Sequence, residues 1–202
     1  MKFKKRVIFF SGPPLSGKDT QARLLAKKIK GKFLVSHRVI DSFFKKQKSK
    51  YLKIDGRNFD VQKEFLKRFK GGFYSPEIVG YVISKKIEEL IDKFDLVFSG
   101  SPRLLKEAKI EIKTLKDLSV KFKVISLKIP EKEIFKRALK RKREKEDELK
   151  IVKERIENYK KYVIPTLNFL KKRNYLIEIN GNQPVKKIHQ EILKKLSLFL
   201  KN

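Results

Sequence analysis

The run Gly12-Pro13-Pro14-Leu15-Ser16-Gly17-Lys18-Asp19-Thr20 carries the residue types that cradle phosphate. It follows a short apolar segment, residues 7–10, and opens an amphipathic one. Glycine at 12 and 17 permits backbone geometries closed to other residues, so successive N–H groups and a helix N-terminus face one anion. Lys18 then supplies a point charge for the β- and γ-phosphates of a nucleoside triphosphate. The strict pattern has Ser or Thr directly after the lysine, whereas here Asp19 comes before Thr20. A fixed carboxylate beside phosphates is repelled unless Mg²⁺ or its waters offset the charge. Asp19 is therefore either a metal-side group acting through water or a residue turned away, and Thr20 is the expected metal-side hydroxyl.

Other chemistries are disfavoured by what is missing. The chain has no cysteine and only two histidines, His37 and His189, far apart in sequence. Neither a thiolate metal site nor a disulfide is possible, and a histidine triad or metal cluster is not expected. The net charge is +30. Such a chain could bind nucleic acid or anionic membranes, but its lysines are scattered over the whole length and form no arm or tail. They read as the default surface residue, and nucleic-acid binding is not favoured. Only residues 140–145 are dense in charge.

The elements that must position the loop follow from the hydrophobic pattern. Strands are expected at 7–11, 33–36, 96–99, 123–129 and 175–179. Helices are expected at 20–29, 77–93, 104–118, 131–142, 147–172 and 185–200. This alternation predicts an α/β fold, a five-stranded parallel sheet with helices on both faces. Its 202 residues, 40% of them hydrophobic, suit one such domain with a sizeable core. Ile83, Ile87, Leu90 and Ile91, and likewise Val152, Ile156, Tyr159 and Val163, recur at helical intervals and read as core. Residues 42–72 break the alternation; charged and with short helical pieces, they look like an insertion. No apolar run is long enough to span a bilayer. The apolar stretch at 7–10 is too short for a signal peptide and reads as a buried first strand. A cytoplasmic, monomeric protein is expected.

The frame GPPLSGKDTQ resembles the phosphate loop of the adenylate kinase family of nucleoside monophosphate kinases, GxPGxGKGTQ, with Leu15 and Asp19 in place of two glycines. The resemblance continues in order, and it is to the short-lid type. Residues 71–79 (GGFYSPEIV) are similar to the family's G-x-L-V-x-D-E-I-V. Gly100-Ser101-Pro102-Arg103 with Glu107-Ala108 resembles D-G-F-P-R-x-x-x-Q-A. Arg141, Arg143 and Arg155 match the arginines around the lid, and Glu146-Asp147 its acidic pair. Asn180-Gly181-Asn182-Gln183 resembles the loop that meets the adenine of ATP.

This resemblance implies transfer of the terminal phosphoryl group of ATP to a nucleoside monophosphate, with Mg²⁺ as cofactor. It implies ATP contacts from residues 12–20, Arg137, Arg141 and Gln183. It implies monophosphate contacts from Ile40, Lys45, Gly72, Phe73, Tyr74, Gly100, Arg103, Glu107, Arg143 and Arg155. Lys18, Arg103, Arg143 and Arg155 would be the catalytic set. An acceptor-binding insertion at about residues 37–74 and a short lid at about 138–147 would be the moving parts. That lid would also account for the dense charge at 140–145.

Four departures bear on the acceptor and the metal. Ile40 and Lys45 stand where the family has Thr and Arg, Ser99 where it has Asp, and Glu107 where it has a base-reading Gln. An ionised glutamate only accepts hydrogen bonds. It would suit the N1–H and N2 amine of guanine, or the N6 amine of adenine alone. AMP remains the expected acceptor. The alternatives are a guanylate-preferring or other P-loop small-molecule kinase, a nucleic-acid-binding NTPase, and a binder that has lost catalysis.

Overall fold

The computed structural model describes residues 5–69, 72–141 and 148–201. Five strands form a parallel sheet: β1 (Arg6–Ser11), β2 (Lys32–Val35), β5 (Leu96–Ser99), β6 (Lys121–Lys128) and β7 (Leu176–Asn180), in the order β2-β5-β1-β6-β7. β1 lies at the centre, paired in parallel with β5 and β6. Its side chains alternate between two buried faces, which is why residues 7–10 are all apolar. Val7 and Phe9 enter one core, with Phe9 stacked on Phe98 at 5.4 Å, while Ile8 and Phe10 enter the other.

Helices cover both faces. α1 (Lys18–Lys28) and α9 (Val185–Lys201) pack over Ile8, Phe10 and Ile125. α4 (Pro76–Leu90), α5 (Leu105–Asp117) and α8 (Ile164–Lys171) lie over the opposite face. α6 (Glu131–Arg141) and α7 (Leu149–Asn158) make a smaller core of Ile134, Ala138, Val152 and Ile156 beside Leu15. The five expected strands and their parallel arrangement are therefore present.

Three local readings differ. The long helix expected at 147–172 is divided: a π-helical segment, Tyr159–Val163, separates α7 from α8. Pro165 follows one residue later, as the second residue of α8, and a residue without an N–H cannot continue the α-helical ladder, so the wider turn absorbs the break. Ser36, read as the end of a strand, instead opens α2 (Ser36–Lys46).

The insertion also contains a hairpin as well as helices. β3 (Tyr51–Ile54) and β4 (Arg57–Asp60) pair antiparallel across Asp55-Gly56, followed by α3 (Val61–Phe69). Both turn residues have positive φ, 46° and 78°, the geometry that an Asp-Gly turn supplies between twisted strands. Leu52 and Ile54 of the hairpin join Ile40 and Phe44 of α2 in the main core. Buried Glu64 of α3 accepts hydrogen bonds from the Ser75 amide at 2.7 Å and its hydroxyl at 2.9 Å, fastening the insertion to the start of α4. Among the described residues no helix is long and apolar enough to cross a membrane.

Candidate active site

The loop between β1 and α1 leaves the sheet at its C-terminal edge, where the order reverses between β1 and β5. Ligand crevices of open α/β sheets form at such a switch point. Gly12 has φ 145°, and a Cβ there would stand 2.8 Å from the Leu127 carbonyl oxygen, so the loop closes against β6 only with glycine. Gly17, at φ 83°, caps α1 in the left-handed region with nothing within 4 Å of its missing side chain. Leu15 keeps a positive φ of 59° although it is not glycine, and its side chain meets the α6–α7 core. The result is a loop hinged at two glycines that runs straight into a helix N-terminus.

Lys18 folds back over this loop, donating to the Pro13 carbonyl at 3.2 Å. Its pKa falls from 10.5 to about 8, chiefly because burial disfavours the charged form; Asp19 opposes the fall, while Arg103, Arg155 and Arg141 add to it. Three guanidinium groups from three separate parts of the chain thus act on one ammonium.

Asp19 accepts a hydrogen bond from the Ser99 hydroxyl at the end of β5. Burial pushes its carboxyl up, but that hydrogen bond, Lys18, His37 and Arg103 together outweigh it and leave the pKa below the usual value. Asp19 is therefore an ionised carboxylate tied to the end of β5. The carboxylate absent from position 99 stands instead in the first turn of α1, as Asp19, against the Ser99 hydroxyl. Asp19 and Thr20, at the exposed start of α1, offer hard oxygen donors of the kind Mg²⁺ takes. No group of three or more acidic or histidine side chains that could enclose a metal occurs among the described residues. Such a donor set fits an ion held mainly by phosphates and water.

On the donor side, Arg137 spans the loop. Its guanidinium donates to the Leu15 carbonyl and the Gly181 carbonyl, each at 3.1 Å, and to Glu133 at 2.8 Å. It ties the phosphate loop to the β7–α9 loop, where Gln183 donates to the Asn180 carbonyl at 3.1 Å.

Across the switch point lies a cavity of about 50 Å³. Ile40, Gly72, Phe73, Tyr74, Gly100, Arg103 and Glu107, all expected at the acceptor, line it. Gly100, at φ 93°, leaves room for Arg103, whose Nε donates to the Gly100 carbonyl at 2.8 Å while its guanidinium lies over Phe73. Ser36, His37, Val79 and Leu104 complete the lining and are not among the site residues singled out from the sequence, although His37 lies in the expected insertion and Val79 in the 71–79 frame. Lys45 is not among the lining residues; it lies exposed in the last turn of α2. Arg143, Glu146, Asp147 and most of the expected lid at 138–147 lie outside the described residues, as does Gly71.

Glu107 is 2% exposed and Glu111, one helical turn on, 1% exposed. Both reach the buried Ser101 hydroxyl. The spacing 107, 111, 115 already marks a buried helical stripe through Leu115. That stripe could have revealed Glu111 in the sequence.

Fold and site together define a P-loop nucleotide-dependent phosphotransferase of the nucleoside monophosphate kinase fold. The chain belongs to the AAA domain family, whose model matches residues 11–154. It is similar along nearly its whole length to proteins named adenylate kinase. The one from Petrotoga mobilis is 28% identical, covering 97% of this chain and 99% of that protein. The one from Leptospira biflexa is 26% identical over 95% and 100%, and that of Trichodesmium erythraeum 25% identical over 94% and 96%.

Proposed function

We propose that the protein transfers the γ-phosphoryl group of ATP to a nucleoside monophosphate, AMP, giving two ADP. The observation that carries this reading is the glycine loop with Lys18 folded over it at the head of α1, beside a cavity lined by Arg103 and Glu107. The near full-length similarity to adenylate kinases supports it.

Phosphoryl transfer asks mainly for positioning and charge neutralisation. In this reading the loop amides and Lys18 hold the β- and γ-phosphates of ATP, and Arg137 and Gln183 hold the nucleoside end against the loop. Arg103 holds the phosphate of AMP. Arg141, Arg143 and Arg155 offset charge on the phosphoryl group in flight. The attacking phosphate oxygen is already ionised near neutral pH, so no general base is needed.

Mg²⁺, on the side of Asp19 and Thr20, neutralises phosphate charge when bound. Ser99 and Asp19 together do the work of a carboxylate at the end of β5. A cavity of about 50 Å³ is well below the roughly 300 Å³ or more that ligand pockets occupy. AMP therefore enters by movement of the insertion at about 37–74, and the segment at 138–147 closes over the phosphates to exclude water.

Lys18→Ala tests the reading. We expect it to abolish ATP-dependent ADP formation from AMP while circular dichroism stays that of the parent. Turnover within about threefold of the parent would refute it, since loss of a charge contact in the transition state costs about a hundredfold or more.

A further inference from the structure

Ser101 is completely buried, and its hydroxyl lies within hydrogen-bond distance of a carboxyl oxygen from both Glu107 and Glu111, the latter at 2.5 Å. A hydroxyl has one hydrogen and can donate to only one of them. The other contact requires a proton on a carboxyl group. The surroundings decide which. Glu107 receives the Leu104 amide at 3.2 Å and lies in the field of Arg103. Glu111 receives no backbone amide of this kind: its Oε2 is buried without a hydrogen-bond partner among the described residues, and the Glu107 carboxyl lies directly beside it. An anion is tolerated at 107 and costly at 111.

We propose that Glu111 is a positioning residue acting as a neutral carboxylic acid. Its O–H donates to Ser101 Oγ, the Ser101 hydroxyl donates to Glu107, and this chain fixes Glu107 as a pure hydrogen-bond acceptor for the exocyclic amine of a 6-aminopurine monophosphate. The role rests on the reading of the cavity as the acceptor site. Glu107 lines that cavity and Glu111 does not, so Glu111 acts only through Ser101 and Glu107.

Electrostatics agree with the geometry. Burial pushes both carboxyls up, and Glu111 well above its ordinary value because the charge of Glu107 adds to burial. The charged and titratable groups around the pair are few. Arg103 stands on the preceding loop and His37 of α2 faces the cavity. Glu77 of α4 is held by Lys106 and Arg57. Lys109 and Arg173 lie on Phe169 of α8.

Because Glu111 is raised in the folded state, its stabilising contribution is complete below the ordinary carboxyl range. It is lost as pH rises through the folded value. Above that value two carboxylates would share one buried hydroxyl, and Glu107 would lose its orientation.

Two experiments test this. The first is a carboxyl ¹³C NMR titration of the glutamate-labelled parent protein, with Glu111→Gln for assignment. We expect one glutamate carboxyl to titrate well above all the others, and to be absent from the variant. If every glutamate titrates in the ordinary range, the proposal falls, whatever the variants do.

The second measures dissociation constants, without ATP, for AMP and for purine riboside monophosphate, which lacks the amine, at pH values below and above the titration found in the first. Glu111→Gln keeps a donor to Ser101 in its amide. We expect it to match the parent's roughly fivefold or greater preference for AMP below that titration and to hold that preference above it, where the parent loses it. Glu111→Leu, lacking the donor, should lose the preference at every pH while kcat at saturating AMP stays within about twofold. Equal preference in parent, Gln and Leu variants at every pH would overturn the positioning role. If a protonated glutamate is found but no nucleoside monophosphate binds, the functional reading fails rather than the proton assignment, and Glu111 positions no base reader.

Discussion

The lowered pKa of Lys18 can be read directly in solution. Its fall from 10.5 to about 8, at about 1.4 kcal/mol per unit, places an upper bound of about 3.5 kcal/mol on the cost of holding that charge without a ligand. ATP offers the missing anion, so binding should return the proton. With a free value of about 8 and a bound one well above it, ATP binding at pH 8.5 should take up about three quarters of a proton. Isothermal titration in buffers of different ionisation enthalpy measures that number, and Lys18→Met should remove it.

The same titration gives a kinetic limb: kcat/KM for ATP should fall about tenfold per unit above pH 8. It also gives a stability trend of fixed sign. A lysine with a depressed folded value leaves the unfolded chain holding more protons between pH 8 and 10.5. Stability from this group therefore rises with pH across that window, opposite to the trend set by Glu111. Proton uptake near zero at pH 8.5, or kcat/KM flat to pH 9.5, would refute the claim that Lys18 is a desolvated, phosphate-facing charge.

Arg103→Lys and Arg155→Lys keep the charge but lose the planar fork; each should lower kcat at least tenfold in steady-state assays, and unchanged kcat in both would make them surface residues. Asp19→Asn should raise the Mg²⁺ concentration for half-maximal activity severalfold, and Asp19→Gly with Ser99→Asp should restore it, because the carboxylate returns to the end of β5; no shift in either would remove Asp19 from the metal side. Glu107→Gln adds a donor facing the acceptor base. The ratio of kcat/KM for AMP over GMP should then rise about fivefold, the yield of one hydrogen bond, and a flat ratio would place the base elsewhere.

Much of the fold was legible because the pattern and the physics coincide. A central strand buried on both faces must be apolar throughout, and residues 7–10 are; a glycine loop leading into a helix has few other uses. The Asp55-Gly56 hairpin was legible in principle from its turn pair, but the charged residues around it hid the alternation of buried Leu52 and Ile54. The break at Tyr159–Val163 lay masked in a continuous helical period, with only Pro165 to signal it.

At the site, collinear motifs led to most of the cavity lining. The residues that were missed act through space. His37 reaches the cavity from the first turn of α2, a helix the sequence showed only as charged fragments. Asp19 and Ser99, 80 positions apart, read separately as an intrusion and a loss, yet the parallel pairing of β1 with β5 brings them into one hydrogen bond. Lys45, placed by motif register alone, is not in the lining.

The most direct test of the central claim is ³¹P NMR of the protein with Mg²⁺, ATP and each of AMP, GMP, CMP, UMP and dTMP. We expect ATP and AMP to yield ADP in a two-to-one ratio to ATP consumed, with little inorganic phosphate and slower transfer to the other acceptors. ATP hydrolysis to inorganic phosphate at a rate indifferent to every monophosphate would contradict phosphotransfer as the function.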